Sequence, residues 1–370
     1  MSPLRLSWRR VAAGLIGALA AACASAPPPQ TAPGSLGPGL PPSTSEPSGP
    51  PPAGTISPAV LPGWGEEDHL AGFQAYVAGC GVARDATARR VCASGRDLAR
   101  GRVTPSDARS FFEANFSAAP ARTADGRPGL LTSYFAPEYP ARRRADREFD
   151  TPVLARPDGW RRGQVLATRA EIEAGPPPTA VLAWMKAEDL FFLQIQGSGY
   201  LTFEDGGRAR AAYAADNGRT FVGIARPMAE RGLLPQNGTS GDAIRAWLAA
   251  HRGPEARAVT ALNPRYIFFD IQPDDGGHPA GAAAVPLPPR RSIAVDPAHW
   301  TYGDLVWIDA DGGNLPGARA SYRGLVSALD TGSAIRGPVR ADLYMGRGDA
   351  AGSEAGAVRH PLRMWRLVPR

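Results

Sequence analysis

Cysteine, histidine and long apolar runs are scarce in this sequence. Its 370 residues hold three cysteines and five histidines. The histidines, at 69, 251, 278, 299 and 360, fall at no metal-ligand spacing, and no cysteine cluster accompanies them. No metal site and no cofactor is therefore expected. No run of basic residues is interleaved with aromatics, so nucleic-acid binding is not expected despite a net charge of +6. The N-terminal apolar run, Val11 to Ala22, is too short to span a bilayer. Much of the positive charge is arginine, which would draw a wall-facing protein toward anionic envelope polymers.

Glycine and proline, by contrast, are abundant, at 43 and 38 residues. Much of the proline precedes residue 63, so the remainder reads as an ordinary globular chain of one or two domains. Arg5, Arg9 and Arg10 before the short apolar run make an export signal over residues 1–23. Leu19-Ala20-Ala21-Ala22-Cys23 is a lipobox-like site, with Leu19 one place further back than usual. Cys23 is the expected lipidation site, with ordinary signal cleavage as the alternative. Ala24 carries no aspartate-type retention signal, which favours the outer membrane. Residues 24–63 hold thirteen prolines in forty positions and cannot bury enough to fold. As a semi-rigid tether they reach at most roughly 120 Å.

Folding is expected to begin near Trp64. Leu70, Phe73, Val77 and Cys80 fall at helical spacing, and Thr104-Pro105-Ser106-Asp107 reads as a helix start with Ala108, Phe111 and Phe112 facing the core. Cys80 and Cys92, twelve apart, suit a disulfide in an oxidising compartment; two buried thiols are the alternative. Gly129 to Tyr139 is strand-like, with Thr132 and Tyr134 among its polar members. Short β-like runs follow at 181–184, 190–196 and 219–224, with helical pieces at 169–174 and 242–251. The reading places Gln194 and Gln196 on one face of a strand ending in Gly197-Ser198-Gly199, followed by Tyr200. Glycines let a backbone approach a ligand closely. Amides and an aromatic ring suit a sugar, and a hairpin turn beside a core strand is the alternative. Thr132, Tyr134, Gln196, Gly197, Ser198, Gly199 and Tyr200 form the candidate glycan-binding set.

Leu325 to Gly348 then reads as two strands joined by a glycine-rich turn. Val339, Ala341, Leu343 and Met345 alternate with Arg340, Asp342 and Tyr344, the pattern of a half-buried strand. Asp330 and Asp342 come to one end of the pair. They could simply cap the turn and pair with Arg340.

DTGSAIRG and ADLYMGRG, after SIAVDPAHWTYGDLVWI, resemble the three-aspartate double-psi β-barrel module, with Asp296, Asp330 and Asp342 as its aspartates. That module closes the membrane-bound lytic murein transglycosylase A family. GLLTSYFAPEY, FFLQIQGSGYL, NGRTFVGIARPM and NPRYIFFDI also follow the family's order, so the resemblance covers roughly Asp107 onward. It implies a mainly β fold with helices. A double-psi β-barrel domain (residues 64–139 and 253–370) would carry an inserted, smaller β-rich domain (140–252), with the substrate groove between them. It further implies a peptidoglycan lytic exotransglycosylase, a carbon–oxygen lyase that leaves 1,6-anhydro-MurNAc ends. Asp342 is the expected catalytic acid and Asp330 its companion. The implied setting is the periplasm, lipid-anchored to the outer membrane, as a monomer, on glycan strands and beside wall-synthesis enzymes. A peptidoglycan hydrolase using the same acid pair and a non-catalytic wall-binding lipoprotein stay open.

The chemistry sets one demand. An aspartate of ordinary pKa, about 3.9, is protonated roughly once in a thousand at pH 7. A catalytic acid must be desolvated to hold its proton. Arg340 beside Asp342 would act against that unless it points elsewhere.

Overall fold

The computed structural model describes residues 54–234 and 240–370; Cys23 and most of the proline tether lie outside the described residues. The chain opens with α1 (His69–Gly79), α2 (Ala86–Leu98) and α3 (Pro105–Asn115). Asp68, Asp85 and Thr104 cap these helices, and Thr104 forms a reciprocal capping box with Asp107 ahead of Pro105 at the first turn. Phe73, Tyr76, Phe111 and Phe112 pack the helices onto Leu305, Trp307 and Leu325. Cys80 and Cys92 are joined in a disulfide that ties the end of α1 to α2, with Cα atoms 5.6 Å apart.

The chain then enters a barrel through β1 (Phe116–Pro120) and β2 (Gly129–Ala136), and leaves it at once. Pro137 separates β2 from β3 (Glu138–Ala141), the first strand of a second lobe. That lobe continues with β4 (Thr151–Leu154), α4 (Arg169–Ala174), β5 (Val181–Met185), α5 (Ala187–Gln196), β6 (Gly199–Phe203) and β7 (Arg208–Asp216). It ends with α6 (Ala225–Glu230), α7 (Gly241–Ala250), α8 (Pro254–Thr260) and β8 (Ile267–Pro273). One sheet has the order β3-β6-β7-β8, and β4 pairs with β5 in a small second sheet. Phe191, Leu193, Ile244, Leu248, Ile267 and Phe269 share this lobe's core.

The chain returns to the barrel with β9 (Ser292–Ala294), β10 (Leu305–Asp311), β11 (Ser321–Asp330), β12 (Arg340–Arg347), α9 (Gly348–Ala355) and β13 (Arg359–Pro369). The order β13-β10-β11-β9-β12-β2 closes because β2 also pairs with β13, while β1 adds to the outside of β13. The pairs β11–β9 and β12–β2 are parallel, and the rest of the ring is antiparallel. This is a double-psi β-barrel. At Gly129 a Cβ would come within 1.9 Å of the Val339 carbonyl oxygen, so only glycine lets β2 start this close to the turn before β12.

Four local expectations change. Residues 190–196 form a helix, not a strand. Glu188 to Gln196 is buried without interruption, and a run buried all round has no periodicity to separate strand from helix. Gly197, at φ 82°, ends the helix with its N–H on the Leu193 carbonyl. Residues 219–224 form no strand; the Asn263 side chain accepts from the Val222 N–H, and the Asn217 side chain accepts from Arg219 and Tyr266. Strand β12 is buried on both faces rather than half-buried. Finally, α8 and β8 pack into the second lobe, so that lobe's core takes in residues past Arg252 as far as β8.

Candidate active site

The two faces of β12 do different work. Ala341, Leu343 and Met345 enter the barrel core with Leu131, Ile293 and Val306. Tyr344 faces the other way, with Tyr134, Tyr200, Ala294 and Leu329. Register then places the acids. Asp330 on β11 stands opposite Ala294 on β9, Asp342 on β12 stands opposite the same Ala294, and Thr132 on β2 stands opposite Asp342. Residues in register on neighbouring strands share a face, so Asp330, Ala294, Asp342 and Thr132 form one row. Two strand spacings put the acid Cα atoms roughly 10 Å apart.

Both acids are fully buried. Asp342 Oδ1 accepts a hydrogen bond from the Thr132 hydroxyl, and Oδ2 has no partner among the described residues. Arg340 Nη2 donates to the Thr132 oxygen at 2.9 Å. Arginine only donates, so the Thr132 proton is left for Asp342. The rest of the guanidinium turns to the Leu130 and Ala341 carbonyls. Burial pushes the Asp342 carboxyl up from 3.8 to about 6; Arg340 and the Thr132 hydrogen bond pull it down, and the charge of Asp330 raises it further. Desolvation thus outweighs the neighbouring arginine.

Asp330 is held differently. Its Oδ2 accepts from the Tyr134 hydroxyl at 2.7 Å and its Oδ1 from the Ala282 N–H at 2.9 Å. Asp296 fastens turns. It accepts from the Gly337 N–H at 2.7 Å and the Ala298 N–H at 3.1 Å. Burial opposes its ionisation, but these bonds hold its carboxyl below the ordinary range.

A cleft of about 720 Å³ runs along β7 and β8, lined by Trp160, Ser198, Arg210, Tyr213, Asp270 and Ala280 among others. Ala280 and Ala284 line it while Ala282, between them, holds Asp330. The same loop therefore borders the cleft and holds Asp330. Arg347, at the end of β12, joins the lobes. It donates to Glu138 at 2.8 Å and to Asp274 at 2.9 and 3.0 Å, and lies 3.4 Å over the Tyr200 ring.

The expected glycan-binding residues separate into groups. Ser198 lines the cleft. Thr132 and Tyr134 bind the acids instead. Gln194 is in the second lobe's interior, donating to the Ile267 carbonyl at 3.2 Å. Gln196 is buried on the helix, Gly197 caps it, and a Cβ at Gly199 would meet Leu193 and the Pro137 carbonyl. Tyr200 is buried, its hydroxyl donates to the Gly277 carbonyl at 2.9 Å, and Arg347 covers its ring. It offers no open stacking surface here. The sequence reading missed Ala282, because a backbone N–H leaves no mark on residue type. It also missed His278, whose Nδ1 lies 3.1 Å from the Tyr344 hydroxyl.

The family described as MltA specific insert domain matches residues 130–270, and the 3D domain matches residues 291–368. Membrane-bound lytic murein transglycosylase A of Escherichia coli is 34% identical over 250 residues, 64% of this chain and 65% of that protein. The chain thus aligns with less than two thirds of that relative's length. A membrane-bound lytic murein transglycosylase from Agrobacterium tumefaciens has a solved structure 31% identical to this chain. The match covers 85% of this chain and 97% of that one, at a TM-score of 0.70. The E. coli MltA structure with bound chitohexaose is 28% identical, covering 82% of this chain and 89% of that one, at a TM-score of 0.65. With the two matched domains in order, a closed double-psi barrel and a buried acid pair across one strand, this chain belongs to the membrane-bound lytic murein transglycosylase A family.

Proposed function

We propose that this protein is a lytic transglycosylase that cleaves the β-1,4 bond between MurNAc and GlcNAc in peptidoglycan and leaves 1,6-anhydro-MurNAc ends. One observation carries the reading: Asp342 is a fully buried acid whose carboxyl is pushed up to about 6 and whose Oδ2 has no partner among the described residues. At that value about one molecule in ten holds the proton at pH 7, against fewer than one in a thousand for an ordinary aspartate. Thr132 occupies Oδ1, so Oδ2 is the oxygen that carries the proton.

The reaction needs one group to give a proton and take one back. Asp342 protonates the glycosidic oxygen as the bond to the anomeric carbon breaks. The 6-hydroxyl of the same sugar closes on that carbon, and its proton passes to the Asp342 carboxylate. No water is consumed. The nucleophile belongs to the substrate, which supplies a large effective molarity. Asp330, on the same face, contributes negative charge beside the oxocarbenium-like centre. Both acids are covered in this state, so the glycan meets them when the loop carrying Ala282 moves off Asp330. Chitohexaose bound to the E. coli relative supports a glycan substrate in the same fold.

The setting follows from the sequence. Cys23 is the lipid attachment point, the proline tether spaces the enzyme from the outer membrane, and the catalytic lobes work in the periplasm. Relatives named as membrane-bound support this.

The test is product mass. Purified sacculi incubated with the protein should release muropeptides about 18 Da lighter than hydrolysis products. Release of hydrated muropeptides alone makes it a hydrolase, and no release at all makes it a binding lipoprotein.

A further inference from the structure

The second lobe holds a pocket that the proposed chemistry does not use. Its volume is about 280 Å³, just below the usual ligand-pocket range of about 300–1,000 Å³. Leu154, Ile172, Phe191, Leu248 and Tyr266 give it apolar walls. Arg169 in its wall is buried and fully engaged, by Glu173 at 2.9 Å and by the Asn263 and Arg265 carbonyls. Glu188 is not. Its Oε1 accepts from Arg252 at 2.8 Å, while its Oε2 is buried and has no partner among the described residues. Glu188 is 5% exposed and lines the pocket. A buried carboxylate oxygen without a donor calls for an explanation. At the rim, Arg257 is exposed, and among the described residues it pairs with no carboxylate.

We propose that this pocket binds the zwitterionic end of a diamino-acid residue on a peptidoglycan peptide stem. The ammonium donates to Glu188 Oε2, the aliphatic chain lies along the apolar walls, and the carboxylate meets Arg257. The inference rests on the proposed substrate class. Position fits it: Leu154 and Trp184 on the β4–β5 sheet line this pocket, while Ala155, the residue after β4, and Leu182 on β5 line the cleft. A four-residue stem spans at most about 14 Å when extended, enough to pass the edge of one small sheet. A bound stem would let the enzyme read the peptide while the glycan lies in the cleft. The same end group on a released peptide would bind as well, so the two sources must be separated.

The probe is a free tetrapeptide containing diaminopimelate, titrated calorimetrically into the full chain. Wild-type protein should bind it, and Glu188→Gln and Arg257→Ala should each weaken binding at least tenfold. Arg257 is exposed, so Arg257→Ala should melt as wild type even if Glu188→Gln folds poorly. No binding by the wild type, or undiminished binding by Arg257→Ala, overturns the proposal. Turnover then separates the sources. If the stem is read on the strand, Arg257→Ala should raise KM at least tenfold for stem-bearing glycan, with kcat unchanged and stem-free glycan unaffected. If only peptide binding responds, the ligand is released peptide, and reading of the strand is overturned. Peptide binding that persists without turnover of either glycan would overturn the enzymatic reading and leave the pocket standing.

Discussion

Asp330 and Asp342 are both register partners of Ala294, one from each side. The two acids are twelve residues apart in sequence, yet they meet because the short strand β9 runs between β11 and β12. That arrangement makes the charge of Asp330 part of what raises Asp342, after burial. It also makes the two substitutions unequal.

Asp342→Asn is nearly isosteric but cannot exchange a proton. It should lose at least the roughly 10²–10⁴-fold typical of general acid–base catalysis. Asp330→Asn should cost less in turnover, because Asp330 already accepts from Tyr134 and Ala282 and acts through charge. Release of anhydro-muropeptides, measured for both variants, decides between them. Near-normal turnover by Asp342→Asn would move the acid elsewhere.

The pH dependence has a fixed sign. Activity that needs protonated Asp342 should fall as pH rises through about 6. Thr132→Val removes a hydrogen bond that lowers this pKa, so the alkaline limb should move to higher pH. An unmoved limb would show that another group limits the rate.

Stability follows the same group with its own sign. The folded value lies above the unfolded one, so below about pH 4 both states hold the proton and nothing is lost. Between about 4 and 6 only the folded state keeps it, and above 6 the fold carries a buried charge. The gap from 3.8 to about 6 corresponds to roughly 3 kcal/mol lost over that window. Asp342→Asn should therefore melt no lower than wild type at pH 7, and its melting should depend less on pH between 4 and 6.

The Cys80–Cys92 disulfide closes a loop with a sequence separation of 12. Replacing both cysteines by alanine should cost roughly 3 kcal/mol in the chain-entropy picture. Thermal melting reads the loss, and thiol counting on the denatured, unreduced protein should find neither cysteine reactive.

Cys23→Ser should move the protein from the membrane fraction to the soluble periplasmic fraction with activity on sacculi kept. Retention in the membrane fraction would count against a lipid anchor at Cys23.

Local signals carried much of the fold. Thr104 and Asp107 announce the start of α3 because a capping box is written in adjacent residues. The alternation across residues 339–345 announces β12, since a period of two survives wherever one face is apolar. The helix α5 was not legible, because a segment buried on all sides shows no periodicity, and the glutamines at its end are buried with it.

The sequence by itself determined the domain types and their order, and it singled out Asp342 as the carboxylate to test at the chemical step. All of these reside in motifs of adjacent residues. Only the tertiary structure decided how that carboxylate is prepared. Burial sets the proton affinity of Asp342, and burial depends on the covering loop and on strands distant in sequence. Thr132 and Arg340 divide the roles of its two oxygens from β2 and from its own strand. The backbone N–H of Ala282 holds Asp330, a contact that no side-chain identity could have signalled, because it belongs to the path of the chain rather than to its residues.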